Sequence, residues 1–430
     1  MDTILKTLLY EWRDRTLPSF IKRNQHIDTS LQEGTNNATV VTGFRRVGKT
    51  YLVYEAIEEL LKTNSKEDVV YINFENEKII NPTTDLLTNL IPQCQEVFGK
   101  KPKYLFLDEL QLIPNWSKWV RRILDTEAIQ LFITGSSSKM SSSELPTELR
   151  GRSWEVKVKP LTFEEFLRFK KIPLDLEKIQ YVKDDEAKIR FQYEHYLLFG
   201  GLPAVVLTSQ EKKQELLQSY FDTVVGKDIS ERNKIENDLA LRTLLKLLLN
   251  SNHITISKLH NTFKSMAIPV GKSTIDNYIS YIKTSYFMNE LHIYNRSVVN
   301  QLQYPRKVYF VDTGFITALS TKFSKNMGRL FENAVYNKLS LQNELMYYYK
   351  DENGNEVDFA VLEEGKTKAL YQVCFDLNDE DTQKREIRSL IKAGEQLSCN
   401  NLNLLTLDYP KQLEIPESIK IVSVPEIYTS

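Results

Sequence analysis

The chain has 430 residues with 56 Lys+Arg against 57 Asp+Glu, and its formal charge of -1 creates no global pull towards nucleic acid or an anionic membrane. Any such affinity must come from a local patch. At 41% hydrophobic and 26% charged, with 15 Gly and 14 Pro, the composition excludes a disordered, collagen-like or low-complexity chain.

At about 100 to 200 residues per domain, the length predicts two to four domains. No apolar run approaches the roughly 20 residues needed to span a bilayer. The opening MDTILKTLLYEWRDR turns charged too soon for a secretory signal, so a cytosolic protein without membrane contact is expected. Cys94, Cys374 and Cys399 are far apart and the five His show no ligand spacing, which argues against disulfides and zinc.

The β-branched run 38–42 predicts a buried strand, followed at once by GFRRVGKT (43–50) and the helix-like YLVYEAIEELLK. Strand, glycine loop and helix are the context that the pattern G-x-x-x-x-G-K-[ST] requires. Loop N–H groups and the helix start wrap phosphates, Lys49 reaches the terminal ones, and Thr50 holds magnesium. Gly43 and Gly48 permit the tight path. The predicted nucleotide contacts are Gly43, Phe44, Arg45, Arg46, Val47, Gly48, Lys49, Thr50 and Tyr51, with Arg45 and Arg46 touching phosphates or fixing the loop. No Asn-Lys-x-Asp guanine-reading motif occurs, which favours ATP.

VVYINFEN (69–76) predicts a further strand of the same sheet, and KYLFLDELQ runs four apolar or aromatic residues into Asp108 and Glu109. In P-loop enzymes the first such carboxylate orients Mg2+ and a following Glu activates water, the roles expected of Asp108 and Glu109. The strand 129–134 ends in Gly-Ser-Ser-Ser, where Thr134 or Ser136 would sense the terminal phosphate or merely cap a helix. Arg150 and Arg152 flank Gly151; either serves as an arginine finger, in cis or from a second copy, or the two form a solvated or salt-bridged surface pair.

GFRRVGKT, FLDELQ, ITGSSS, LRGRSWEVKVKPLTFEEF and YLLFGGLPAVV, in this order, resemble the archaeal and bacterial AAA-plus ATPases close to the STAND grouping, over nearly the whole chain. The resemblance implies a RecA-like α/β core working as an ATP-dependent switch or motor. It places Lys49 and Thr50 on nucleotide and Mg2+, and Asp108 and Glu109 at the second motif. An uncharacterised conserved C-terminal domain follows in that family, and a trans arginine would make a homo-oligomer.

Beyond the sheet, 170–250 reads as helices broken at FGGLPAVV (199–206), and KDISERNKIEND (227–238) as a solvated helix-loop surface. ITISKLHNTFKSM, AIPVG and KSTIDNYISYIKTSYFMNELHIYN are laid out as a winged helix-turn-helix. Residues 254–310 hold seven Lys+Arg against two acids, +5 in a chain of -1, which suits a phosphate backbone. Lys272, Ser273, Thr274 and Asn277 would face a major groove, with Lys283, Arg306 and Lys307 on phosphates. The same module serves elsewhere for packing or for binding a protein partner.

Near the C-terminus, MGRLFENAVYNKL predicts a helix and Asn353-Gly354 a hairpin. The order Glu332, Asp358, Gln372-Val373-Cys374 resembles the restriction-endonuclease-like PD-(D/E)xK core. It departs from that pattern where chemistry needs it: Gln372 replaces an acidic ligand and Cys374 the lysine that polarises water. A degenerate nuclease fold is expected, with at most a weak metal site at Glu332 and Asp358. The predicted architecture is thus a P-loop α/β core (1–160), a helical lid (161–250), a winged helix (251–322) and a restriction-endonuclease-like α/β domain (323–430).

Overall fold

The computed structural model describes residues 2–30, 37–135, 145–173, 183–320, 326–343, 345–377, 379–407 and 415–429. The chain forms two compact units, Met1–Lys159 and Pro160–Ser430.

The first unit alternates helices α1 (Asp2–Asp14), α2 (Lys49–Leu60), α3 (Thr84–Phe98), α4 (Trp116–Thr126) and α5 (Leu145–Leu149) with strands β1 (Ala38–Gly43), β2 (Val69–Asn73), β3 (Tyr104–Asp108), β4 (Gln130–Thr134) and β5 (Ser153–Val158). The strands form one parallel sheet in the order β2-β3-β4-β1-β5. β1 and β3 are buried along their whole length, so they need apolar residues on both faces rather than alternation. Leu5 and Leu9 of α1 and Leu87 and Leu90 of α3 close one face, while Phe106 and Phe132 stack 4.3 Å apart within the sheet. This is the RecA-like P-loop fold expected from the sequence.

In the second unit come α6 (Phe163–Phe169), α7 (Lys183–Phe199), α8 (Pro203–Leu207), α9 (Lys213–Thr223) and α10 (Asp238–Leu249). Thr162 and Glu165 start α6 with a reciprocal capping box. α9 runs on into a wider π-helical stretch, Val224–Glu231, that buries Asp228. There follow β6 (His253–Ile254), α11 (Ile256–Ser265), α12 (Lys272–Thr284), β7 (Met288–Leu291), α13 (Val298–Gln303), β8 (Arg306–Phe310) and α14 (Thr313–Leu319). The three strands form a small antiparallel sheet, β6-β8-β7.

The remainder is α15 (Met327–Gln342), β9 (Met346–Lys350), β10 (Glu356–Glu363), β11 (Lys366–Cys374), α16 (Glu380–Leu397), β12 (Leu402–Thr406), β13 (Ile419–Ser423) and α17 (Val424–Thr429). Its mixed sheet is ordered β13-β12-β11-β10-β9. The expected Asn-Gly hairpin joins β9 to β10, with Gly354 at φ 84°. Among the described residues, no helix is long and apolar enough to cross a membrane.

Candidate active site

The loop 43–50 leaves the carboxyl end of β1, where ligands of parallel sheets bind. Gly43 lies at φ 137°, and a Cβ there would meet the Val158 carbonyl oxygen at 2.3 Å, so β5 fixes glycine at this position. Gly48, at φ 100°, opens α2, and Lys49 is its first residue. Lys49 is buried, and its ammonium donates to the carbonyls of Gly43 and Phe44, both at 3.1 Å. Phe44 and Val47 are buried in the core, Arg45 is half-buried, and Arg46 and Tyr51 are exposed.

Three hydroxyls converge on Asp108. Thr50 Oγ1 donates to its Oδ2 at 3.0 Å, Tyr71 OH donates to the same oxygen at 2.8 Å, and Thr134 Oγ1 donates to Oδ1. Burial pushes the Asp108 carboxyl above the ordinary range, against the pull of the Thr134, Tyr71 and Thr50 hydroxyls and with the charge of Glu109 adding to the rise. Glu109 takes a left-handed backbone at φ 55°, its N–H donates to Thr134 Oγ1 at 3.1 Å, and its carboxylate accepts from Gln111 Nε2. The structure thus brings together Lys49, Thr50, Asp108, Glu109 and Thr134. Thr134 donates to the carboxylate and accepts from the Glu109 N–H.

Ser136 lies outside the described residues. Arg152 is half-buried and ion-paired with Asp125. Arg150 is exposed in a left-handed turn at φ 52°.

Two residues near the loop gave no motif. Tyr71 is one; a Tyr in an otherwise apolar buried strand signals a required hydroxyl partner. Buried Arg23 is the other, donating to the Val47 carbonyl at 3.3 Å and to the Lys159 carbonyl at 2.9 Å. It stands 20 residues before the loop, and nothing local in the sequence marks it.

In the second unit the candidate DNA residues divide. Lys272, Ser273 and Asn277 are exposed at the start of α12, and Thr274 is half-buried. Of the other three, the phosphate role expected of Lys307 is corrected, while Lys283 is exposed and Arg306 half-buried. Lys283 and Arg306 pair with Glu290 at 2.6 and 2.9 Å. Lys307 is 3% exposed and surrounded by carboxylates, so its ammonium cannot reach a duplex. A further contact the sequence did not suggest ties the break at 199–206 to the start of α14: its N-cap, buried Asp312, accepts from the Gly201 and Gly314 N–H groups at 2.7 and 2.8 Å. A Cβ at Gly200 would fall 1.5 Å from its Oδ1.

Residues 35–167 match the AAA domain family. Residues 190–326 and 327–427 match two domains of unknown function, DUF8612 and DUF4143. An uncharacterized protein of Methanocaldococcus jannaschii is 36% identical over 389 residues, covering 89% of this chain and 84% of that protein. The chain belongs to this family of AAA-domain proteins. An uncharacterized protein of Haemophilus influenzae is 26% identical over 416 residues, or 94% of this chain and 98% of that one. Among solved structures, a Walker-type ATPase of Pyrococcus abyssi aligns at 13% identity and TM-score 0.44 over 70% of this chain and 99% of its own. The Aeropyrum pernix ORC1 protein, solved in complex with DNA, aligns at 12% identity and TM-score 0.25 over 74% of this chain and 90% of its own. In the family frame, the P-loop and the Asp108 cluster belong to the AAA domain, and the Lys307 contacts span the two domains of unknown function.

Proposed function

We propose that this protein is an ATPase whose nucleotide cycle drives its second unit on DNA. The observation that carries the ATPase reading is the convergence of Thr50, Tyr71 and Thr134 on the buried Asp108 carboxylate beside the P-loop lysine. Lys49 is the cation for the terminal phosphates. It would exchange its two carbonyl partners for phosphate oxygens, a gain in charge complementarity. Thr50 and Asp108 supply hard oxygen donors 3.0 Å apart, which fits Mg2+. Bound there, the metal would neutralise charge across the β- and γ-phosphates.

Glu109 is the base that would take the proton of the attacking water, and the Thr134 bond to its N–H fixes the strand end from which it projects. Exposed Arg150, unlike Arg152, suits a finger offered to a second copy of the chain. For the second unit, the succession β6, α11, α12, β7, β8 supports a winged helix. Lys272, Ser273, Thr274 and Asn277 would then meet the groove, backed by exposed Lys258 and Lys264 on α11.

A second reading, a nucleotide-controlled switch acting on a protein partner, is favoured by one specific observation. Val298, Val299 and Leu302 are 66%, 61% and 60% exposed on α13, between the two strands of the wing. The test is steady-state ATP hydrolysis with and without single-stranded, duplex and branched DNA at low and physiological salt, with Lys49→Ala as blank. Stimulation by one DNA form that fades with salt supports the DNA reading. A real but DNA-indifferent rate favours the switch, and a rate equal to the blank overturns both.

A further inference from the structure

Within the second unit, four charged side chains meet where β8 faces α15 and β10. Lys307 Nζ lies 2.7 Å from Asp358 Oδ1, 2.9 Å from Glu356 Oε1 and 3.1 Å from Glu332 Oε1. The lysine side chain is 4% exposed. Tyr309 OH donates to Glu332 Oε1 at 2.7 Å, and the Val373 N–H donates to Asp358 Oδ2 at 2.9 Å. Glu332 and Asp358 are the two acids that the nuclease-like pattern keeps.

The other two positions of that pattern are turned away from metal chemistry. Gln372 donates through Nε2 to Glu386 at 2.5 Å, and its Oε1 accepts from the Asp358 N–H. The Cys374 thiol donates to the Asp376 carbonyl, and burial pushes it up to about 12, so it is neither a cation nor a ready ligand.

We infer that the Lys307 ammonium is the resident cation of this cluster, standing where a nuclease of this fold would hold its divalent metal. The inference is independent of the ATPase reading. Lys307 belongs to β8, in a segment before the nuclease-like domain, and reaches the acids of that domain from outside it. A divalent ion entering the cluster would lie against a buried ammonium and would have to expel it from three carboxylates, while the lysine has no exposed surface to retreat to.

The cluster is therefore a joint. Beside it, the Tyr348 N–H donates to the His292 carbonyl at 3.0 Å and the Tyr294 N–H to the Tyr348 carbonyl at 2.6 Å, so backbone pairing also links the segment after β7 to β9. The three-stranded sheet and the five-stranded sheet are held together through charge and backbone, without metal.

The test uses the full-length chain and Mn2+ without nucleotide. Wild type and Asp358→Asn are compared by titration calorimetry and by melting in Mn2+ against EDTA. The expected result is no Asp358-dependent Mn2+ binding and no shift of the second-unit transition by EDTA. Lys307→Ala is expected to gain Mn2+ binding and a Mn2+-dependent rise in melting temperature, both abolished by adding Asp358→Asn. Asp358-dependent binding in the wild type overturns the inference, as does a folded Lys307→Ala protein that binds no Mn2+. Should Lys307→Ala fail to fold, the double variant Lys307→Met/Asp358→Asn, which removes one charge of each sign, is expected to restore the second-unit transition. If it does not, the lysine is not the counter-cation and the inference falls.

Discussion

Replacing Tyr71 by Phe removes one hydroxyl from behind the proposed magnesium ligand and leaves the P-loop untouched. That hydroxyl donates 2.8 Å to Asp108 Oδ2, an oxygen shared with Thr50 at 3.0 Å. When Thr50 gives its oxygen to a metal ion, Tyr71 is left holding Oδ2 while Thr134 holds Oδ1. A hydrogen bond to a charged buried group contributes about 1.5–3 kcal/mol. Groups that orient a metal's ligands are worth roughly 10- to 100-fold in affinity or activity, and at ~1.4 kcal/mol per decade the two estimates agree. The Tyr71→Phe protein should therefore need about tenfold more Mg2+, or above, for half-maximal ATP turnover. ATP affinity in EDTA, set by Lys49 and the loop, should not change. The loose 3.4 Å contact from Tyr54 to Tyr71 adds little to this balance. Turnover at fixed ATP with Mg2+ titrated, beside fluorescent-nucleotide binding in EDTA, separates the two. An unchanged Mg2+ requirement with weakened metal-free ATP binding would refute the argument and move Tyr71 into the nucleotide pocket.

Glu109→Gln should retain nucleotide and lower kcat by about 10²–10⁴, as loss of a general base does, read in single-turnover hydrolysis. Gly43→Ala must force a Cβ against the Val158 carbonyl 2.3 Å away at a φ of 137°, so calorimetry should show a first-unit transition lowered by strain of at least ~1–3 kcal/mol, with ATP binding lost. A wild-type melting curve would show that β5 does not press on the loop. Glu356 bears on acid stability: burial raises it, but the His253 contact and the Lys307 ammonium outweigh that and hold it well below the ordinary carboxylate range. A depressed folded value means stability present above the ordinary pKa of about 4.3 and lost as pH falls below it. Glu356→Gln should thus lose less melting temperature than the wild type on going from about pH 5 to about pH 3.

What the sequence carried, it carried through local pattern. The glycine loop, the apolar run ending in Asp108 and the strand ending in Thr134 each need only a dozen neighbouring residues to be read, and parallel strands place all three at one sheet edge. Tyr71, Arg23 and Asp312 escaped because their partners lie 37, 24 and 111 residues away. The charge count over 254–310 overcounted for a related reason. It treated Lys307 as solvent-facing, whereas carboxylates beyond the counted window meet it. Summed charge predicts a field only where the charges reach water.

Asp108 and Asp358 show how the same residue type, buried in both places and raised by burial in both, comes to opposite ends. Asp108 is held by hydroxyls, which orient a carboxylate but bring no positive charge, so the cost of its burial stands until a cation arrives. At Asp358, burial and the nearby Glu332 push the carboxyl up to about 7 against the pull of Lys307, and the ammonium itself is held well above its usual value by the surrounding carboxylates despite its own burial. One carboxylate is met by hydroxyls and the other by an ammonium. The difference is invisible in a motif that scores acids alone, because it lies in the sign of the third partner. On the proposed function, that sign would place the metal chemistry at the nucleotide and leave Glu332, Glu356 and Asp358 to join the two sheets of the second unit.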